Sequence, residues 1–194
     1  GLEVSFVDAG DVAKIEAAVQ KNTKAVLLET PSNPLMKVAD IGKTAEFTRS
    51  NGLLLIVDNT FLTPYWQNPL ALGADIVYHS ASKYLGGHSD LIAGLVVVKD
   101  EEIGERLHFL QKSVGSVLGP QEAWLLLRGM KTLGVRMEEH EANARVIADW
   151  LRRRPDVLKV HHPGLPDHPG HQIAKSQARG FGATFSFEVE SAAK

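Results

Sequence analysis

Three short apolar runs constrain the fold more than any other feature of this sequence. They occupy residues 23–29, 53–58 and 74–79, with helix-like apolar spacing between the first two and a shorter helical stretch before the third. Strands that alternate with helices form a parallel sheet with right-handed crossovers. The sequence therefore predicts an α/β domain, and the run at 74–79 suits a strand that is buried on both faces.

Each of these runs ends in polar residues or leads directly into them. Residues 29–33 lie at the end of the first strand, Asp58 ends the second, and Ser80, Ser82 and Lys83 follow the third. Ligands of such sheets bind outside the carboxyl ends of the strands. We therefore expect these groups to converge at one rim of the sheet and to form a ligand site.

The remaining elements continue the pattern and then depart from it. Helices are predicted at residues 11–20, 40–51 and 100–111, and strands at 157–160 and 183–189. A long helical region runs from about 121 to 154, and its two internal glycines, Gly129 and Gly134, predict a kink or break. The change of pattern predicts a large domain at residues 1–134 and the start of a smaller one at 135–194.

Composition limits the classes of protein to which the chain can belong. With 21 basic and 23 acidic residues, it has no excess of positive charge for nucleic acid, and no apolar run approaches bilayer length. The absence of cysteine excludes disulfides, thiolate catalysis and cysteine zinc sites, and we expect a cytoplasmic protein. Because the chain opens at Gly1 in mid-pattern, we also expect a piece of a longer protein.

The polar groups at the predicted rim suit pyridoxal phosphate. Lys83 can hold the aldehyde as a Schiff base, and the negative charge of Asp58 can keep the pyridine nitrogen protonated. The protonated ring is then the electron sink that stabilises a substrate carbanion. Ser80 and Ser82 can donate hydrogen bonds to the phosphate.

Four segments carry a specific resemblance to a known family. They are residues 29–34 (Glu-Thr-Pro-Ser-Asn-Pro), 57–61 (Val-Asp-Asn-Thr-Phe), 79–90 (His-Ser-Ala-Ser-Lys-Tyr-Leu-Gly-Gly-His-Ser-Asp), and 168–171 (His-Pro-Gly-His) with the later Gln177 and 180–182 (Gly-Phe-Gly). With them the whole chain resembles the pyridoxal-phosphate-dependent enzymes of Cys/Met metabolism, which include cystathionine lyases and cystathionine γ-synthases.

The resemblance implies a fold and a set of site residues. The fold is the PLP-dependent transferase fold (fold type I, aspartate aminotransferase-like), a mostly parallel sheet flanked by helices, followed by the start of a smaller α+β domain. By position, Lys83 is the Schiff-base lysine, Asp58 the pyridinium partner, and Ser80 and Ser82 the phosphate-contacting hydroxyls. Asn33 is the residue near the cofactor's phenolic oxygen. At the position of Ser82 the family commonly has threonine, which also carries a hydroxyl donor.

The resemblance also implies an activity. We expect a carbon–sulfur lyase of transsulfuration and methionine biosynthesis that acts on a small amino acid, cystathionine, in a homo-oligomer built as a dimer of dimers. β-Elimination would give homocysteine, pyruvate and ammonia, and γ-elimination is open as well. The alternative is a γ-replacement transferase, a cystathionine γ-synthase or sulfhydrylase. A more remote alternative is an inactive fragment or a non-catalytic interaction module.

Several parts of the family's site fall outside residues 1–194. They are the glycine-containing phosphate loop, the stacking tyrosine, a tyrosine and an arginine from a neighbouring subunit, and the arginine that binds the substrate carboxylate. We therefore expect the chain to be inactive by itself.

Each candidate residue also has a purely structural interpretation. Asp58 could cap a turn, the two serines could serve ordinary turns, and Asn33 could be a loop residue beside a proline. Four histidines, at 161, 162, 168 and 171, suggest a metal site. Prolines and glycines break this cluster into a loop without zinc-site spacing, so we predict no metal there.

Overall fold

The computed structural model describes residues 1–190, and its centre is a four-stranded sheet in the order β1-β2-β3-β4. β1 (Ala25–Glu29), β2 (Leu54–Asp58) and β3 (Ile76–Ser80) run parallel, and β4 (Gly94–Val98) pairs antiparallel with β3. The predicted mostly parallel sheet is present. All three predicted strands end at the same rim, as their parallel pairing requires.

Two helices cover one face of this sheet. α1 (Val12–Ala18) begins after Asp11, whose carboxylate accepts from the Ala13 N–H, and α2 (Ile41–Ser50) begins after Asp40. Both aspartates cap orphan N–H groups of the first helical turn. The core under the two helices consists of buried apolar side chains, among them Leu28, Leu55, Val57, Val77, Ile15 and Ile41.

The opposite face of the sheet is less buried than the face under the two helices. Leu27 is 59% exposed and Val96 is 56% exposed. The helix that follows β4, α4 (Glu101–Val114), has no buried residue. In β3, the strand for which burial on both faces was predicted, Val77 and His79 are buried on the covered face, and the residues of the other face are half-buried.

The long helical region is divided in two. α5 (Pro120–Met130) and α6 (Leu133–Leu151) are separated by a two-residue turn, Lys131 and Thr132. The break lies between the two glycines that predicted it. A short helix, α3 (Thr63–Trp66), lies earlier in the chain, after β2.

The C-terminal part forms a separate two-stranded antiparallel sheet of β5 (Val157–His161) and β6 (Ser186–Val189). Between these strands lies α7 (His171–Gln177), a helix that the sequence patterns did not predict. Its last residue connects it to the start of α2, because the Gln177 side chain accepts from Ile41 N–H and donates to Ala39 O. Within residues 1–190, none of the helices has the length and apolar character needed to cross a membrane.

Candidate functional site

A row of polar side chains crosses the carboxyl end of the sheet. Glu29, Asp58 and Tyr78 are in register on β1, β2 and β3. Residues paired in this way project from the same face of a sheet. The structure thus places the predicted carboxylate of Asp58 between a second carboxylate and a phenol.

Thr60 determines the orientation of the Asp58 carboxylate. Its backbone N–H donates to Asp58 Oδ1 at 2.9 Å, and its hydroxyl donates to the same oxygen at 2.5 Å. The hydroxyl oxygen also accepts from the Ser80 N–H at 2.8 Å. Thr60 therefore connects the end of β2 to the end of β3, and Oδ2 of Asp58 is not held by Thr60.

Sequence reasoning missed the role of Thr60, although a signal was present. Asp58, Asn59 and Thr60 form the kind of aspartate-led turn in which the side chain binds the backbone two residues later. That signal predicted a cap for the turn. It did not indicate that the same carboxylate would be held at the rim of the site.

The charge of Asp58 influences the groups on either side of it. Burial raises the pKa of Tyr78 to about 12, with further contributions from the Asp58 charge and a hydrogen bond to that carboxylate. Burial and the Asp58 charge also raise the pKa of Glu29, against a backbone hydrogen bond from Asn33 that lowers it. Tyr78 is therefore a neutral hydrogen-bond donor at any physiological pH.

Lys83 lies in a tight turn directly after β3. Its N–H donates to Ser80 O at 3.2 Å, and its carbonyl accepts from Gly87 N–H at 2.7 Å. The side chain is exposed, and its ammonium makes no hydrogen bond or ion pair with any residue of 1–190. The backbone is thus fixed while the amine is free to react.

The other three predicted residues differ in how freely they can bind a ligand. Within the described chain, the side chains of Ser80 and Asn33 have no hydrogen-bond partner. The Ser82 hydroxyl accepts from Ala93 N–H at 2.9 Å and lies 3.4 Å from Ala93 O. The second contact is at the long limit for a hydrogen bond, so little is lost if the Ser82 hydroxyl turns toward another acceptor.

A groove of about 450 Å³ lies beside Lys83 on the side of α6. Its volume is within the range of about 300–1,000 Å³ that is typical of ligand pockets. Ser82, Lys83, Tyr84, His140 and Thr184 contribute to its walls. Asp58, Ser80 and Asn33 are not among the described residues that line it, so it lies next to the polar row and does not contain it.

The four histidines have structural partners. His162 accepts from Gly164 N–H and contacts Gly182 O, and burial lowers its pKa. The other three also have protein partners: His161 bonds to Glu188, His168 to Gly170 N–H, and His171 to Pro163 O. Across residues 1–190, no group of three or more potential ligands is arranged to hold a metal ion.

Taken together, the groups at this rim fit pyridoxal phosphate. An oriented carboxylate suits a protonated ring nitrogen, and an unpaired primary amine suits an aldehyde. A hydroxyl without a protein partner, that of Ser80, suits a phosphate oxygen.

The comparison with known proteins agrees with this set of groups. Residues 1–194 match the profile of the family described as Cys/Met metabolism PLP-dependent enzyme. Cystathionine gamma-lyase of Bacillus subtilis is 55% identical over 98% of the chain and 50% of its own length, and cystathionine beta-lyase of Lactococcus lactis is 52% identical over 97% and 50%. A probable cystathionine gamma-synthase of Herpetosiphon aurantiacus is 47% identical over all of the chain and 61% of its own length.

The same relationship is found among solved structures. The cystathionine gamma-lyase of Lactobacillus plantarum, complexed with L-serine, has a TM-score of 0.94 and 53% identity over 96% of this chain and 49% of that one. The fold predicted from the resemblance is therefore confirmed. The chain spans about half the length of the lyases that it matches.

Proposed function

The chain belongs to the family of Cys/Met metabolism PLP-dependent enzymes, and we propose that the intact protein containing it is a carbon–sulfur lyase that cleaves cystathionine. One observation carries the proposal. The unpaired amine of Lys83 and the Thr60-bound carboxylate of Asp58 lie at the ends of neighbouring strands. The relatives named as lyases support cystathionine as the substrate.

Four kinds of group in this chain would hold the cofactor. Asp58 would face the ring nitrogen, Lys83 would bind the aldehyde carbon through its amine, and Ser80 and Ser82 would donate to the phosphate. Asn33 would lie near the phenolic oxygen. When bound, pyridoxal phosphate supplies an electron sink for the charge that develops at the substrate α-carbon.

Lys83 would also move the proton. With no ion pair in the described chain, its amine can accept the α-proton of the substrate as a general base and return it later. Asp58 has to remain ionised throughout, because its charge keeps the ring nitrogen protonated. Thr60 contributes by directing two donors at Oδ1, which fixes the orientation of the carboxylate.

The alternative is γ-replacement, the activity of a cystathionine γ-synthase or sulfhydrylase. The probable synthase among the relatives supports it. Elimination and replacement need the same lysine and carboxylate. The two reactions differ in whether an incoming thiol takes the place of the leaving group.

Product analysis tests the proposal and separates these reactions. The intact protein, loaded with pyridoxal phosphate, is incubated with L-cystathionine alone. Pyruvate and homocysteine indicate β-elimination, and 2-oxobutyrate and cysteine indicate γ-elimination. If no product forms with cystathionine, but cystathionine accumulates from an acylated homoserine and cysteine, the lyase proposal is wrong and the transferase is correct.

The matched control compares two lysines. Lys83→Ala should abolish turnover, whereas Lys99→Ala should not, because Lys99 donates to Leu70 O at a distant surface. Equal activity in the two variants would contradict the role given to Lys83.

Three further properties are proposed for the intact protein. It forms a homo-oligomer, a dimer of dimers, which light scattering on the purified protein would measure. It resides in the cytoplasm, which cell fractionation would test. Residues 135–194 begin a smaller domain, a proposal supported by the separate β5–β6 sheet, and hydrogen exchange in the intact protein should show that this sheet opens independently of β1–β4.

A further inference from the structure

Arg136, near the start of α6, binds the main chain directly after Lys83. Its Nη1 donates to Tyr84 O at 2.8 Å, its Nη2 donates to Gly129 O at 2.8 Å, and its Nε donates to Thr132 Oγ1 at 3.0 Å. One guanidinium group therefore joins three segments: the turn that carries Lys83, the end of α5, and the turn between α5 and α6.

Two glycines allow the close approach of the Lys83 turn to Arg136 and to α5. A Cβ at Gly87, where φ is +79°, would lie 2.3 Å from Arg136 Nη1. A Cβ at Gly129 would lie 2.1 Å from Gly86 O. Only glycine lets the Lys83 turn approach both α5 and the guanidinium so closely.

The guanidinium is charged, yet its partners are neutral. Burial lowers the pKa of Arg136, but arginine stays protonated at neutral pH. No carboxylate of residues 1–190 lies within 4.0 Å of it. The planar guanidinium donates hydrogen bonds to two carbonyls and a hydroxyl and so fixes their relative positions. The single ammonium of lysine cannot reproduce this geometry.

We propose that Arg136 is a positioning residue for the chemistry of Lys83: it fixes the peptide after the lysine relative to the start of α6, so that the amine meets the substrate α-carbon in one geometry. The inference rests on the proposed function. It gives α6, which lies outside the polar row at the sheet rim, a role in positioning Lys83.

Proton exchange measures this positioning directly. The intact protein with pyridoxal phosphate is placed in D₂O with L-alanine, which has no leaving group, and NMR follows the replacement of the α-hydrogen by deuterium. A misplacement of about 1 Å can lower a rate by about 100-fold. Arg136→Lys should therefore lower the exchange rate per bound cofactor by about 10- to 100-fold. The kcat for cystathionine should fall in parallel, and KM should change by less than about threefold.

A matched substitution controls for the change of side chain. Arg128→Lys alters an exposed arginine of α5 whose guanidinium lies 5.8 Å from the centre of the Trp124 ring and does not contact the Lys83 turn. It should exchange at the wild-type rate. Arg136→Met, which removes the charge as well, should be at least as slow as Arg136→Lys.

The outcomes are distinct. Arg136→Lys exchanging at the wild-type rate would overturn the inference and leave the proposed function intact. Loss of the fold in both Arg136 variants would assign the residue to stability alone and would also overturn it. A wild-type protein that binds no cofactor and exchanges no hydrogen would refute the proposed function, and the inference with it.

Discussion

Replacing Thr60 with valine tests how the Asp58 carboxylate is held. Valine keeps the shape of threonine and removes the hydroxyl that donates to Asp58 Oδ1 at 2.5 Å and accepts from Ser80 N–H at 2.8 Å. A hydrogen bond to a charged group contributes about 1.5–3 kcal/mol. Because these residues are only half-buried, we take the lower half of that range, about 1.5–2 kcal/mol.

This loss should appear as weaker cofactor binding, because the carboxylate of the cofactor-free variant can turn toward water and must be reoriented when the cofactor binds. A change of 1.4 kcal/mol corresponds to a factor of ten in Kd, so Thr60→Val should weaken pyridoxal phosphate binding by about 10- to 30-fold. The assay is an absorbance titration of the cofactor-free intact protein. Thr60→Ser keeps the hydroxyl and should bind within about threefold of wild type.

One result would refute this reasoning. If Thr60→Val bound the cofactor as tightly as Thr60→Ser, the backbone N–H alone would be sufficient to orient Asp58. The bridge from β2 to β3 would then contribute only to the fold.

Three other predictions follow from the same rim and its supports. The pKa of Glu29 is raised in the folded state, which therefore binds more protons than the unfolded state as pH rises above 4.5, and stability falls until the pH passes the folded pKa. Glu29→Gln should therefore raise the Tm at pH 7 and flatten the dependence of Tm on pH. Tyr78→Phe should remove a phenolate transition near pH 12 from the ultraviolet titration of the wild type. Gly129→Ala should destabilise the fold by about 1–3 kcal/mol in denaturant unfolding, because its Cβ would meet Gly86 O.

The sequence predicted the strands and the end-of-strand residues because both follow from local patterns. An apolar run that ends in Asp58 identifies a strand and its polar end without knowledge of any partner strand. The same argument placed Lys83 after β3. Parallel pairing then brought both residues to one rim, as the alternation of elements required.

Contacts between distant segments could not be predicted in this way. Arg136 reaches Tyr84 across 52 positions of the chain, and the Thr60 hydroxyl meets Ser80 N–H across 20. Both contacts depend on strand register and on how closely helices pack, which local spacing does not determine. Ser82 shows the same limit, because only the fold reveals that its hydroxyl binds the backbone of Ala93.

The central claim is that Lys83 is the residue that carries the cofactor. The intact protein is loaded with pyridoxal phosphate, reduced with borohydride and digested, and the peptides are identified by mass spectrometry. We predict one phosphopyridoxyl adduct, on the peptide that contains Lys83, and its loss in Lys83→Ala. An adduct confined to another lysine, or no adduct in a protein that cleaves cystathionine, would contradict the account.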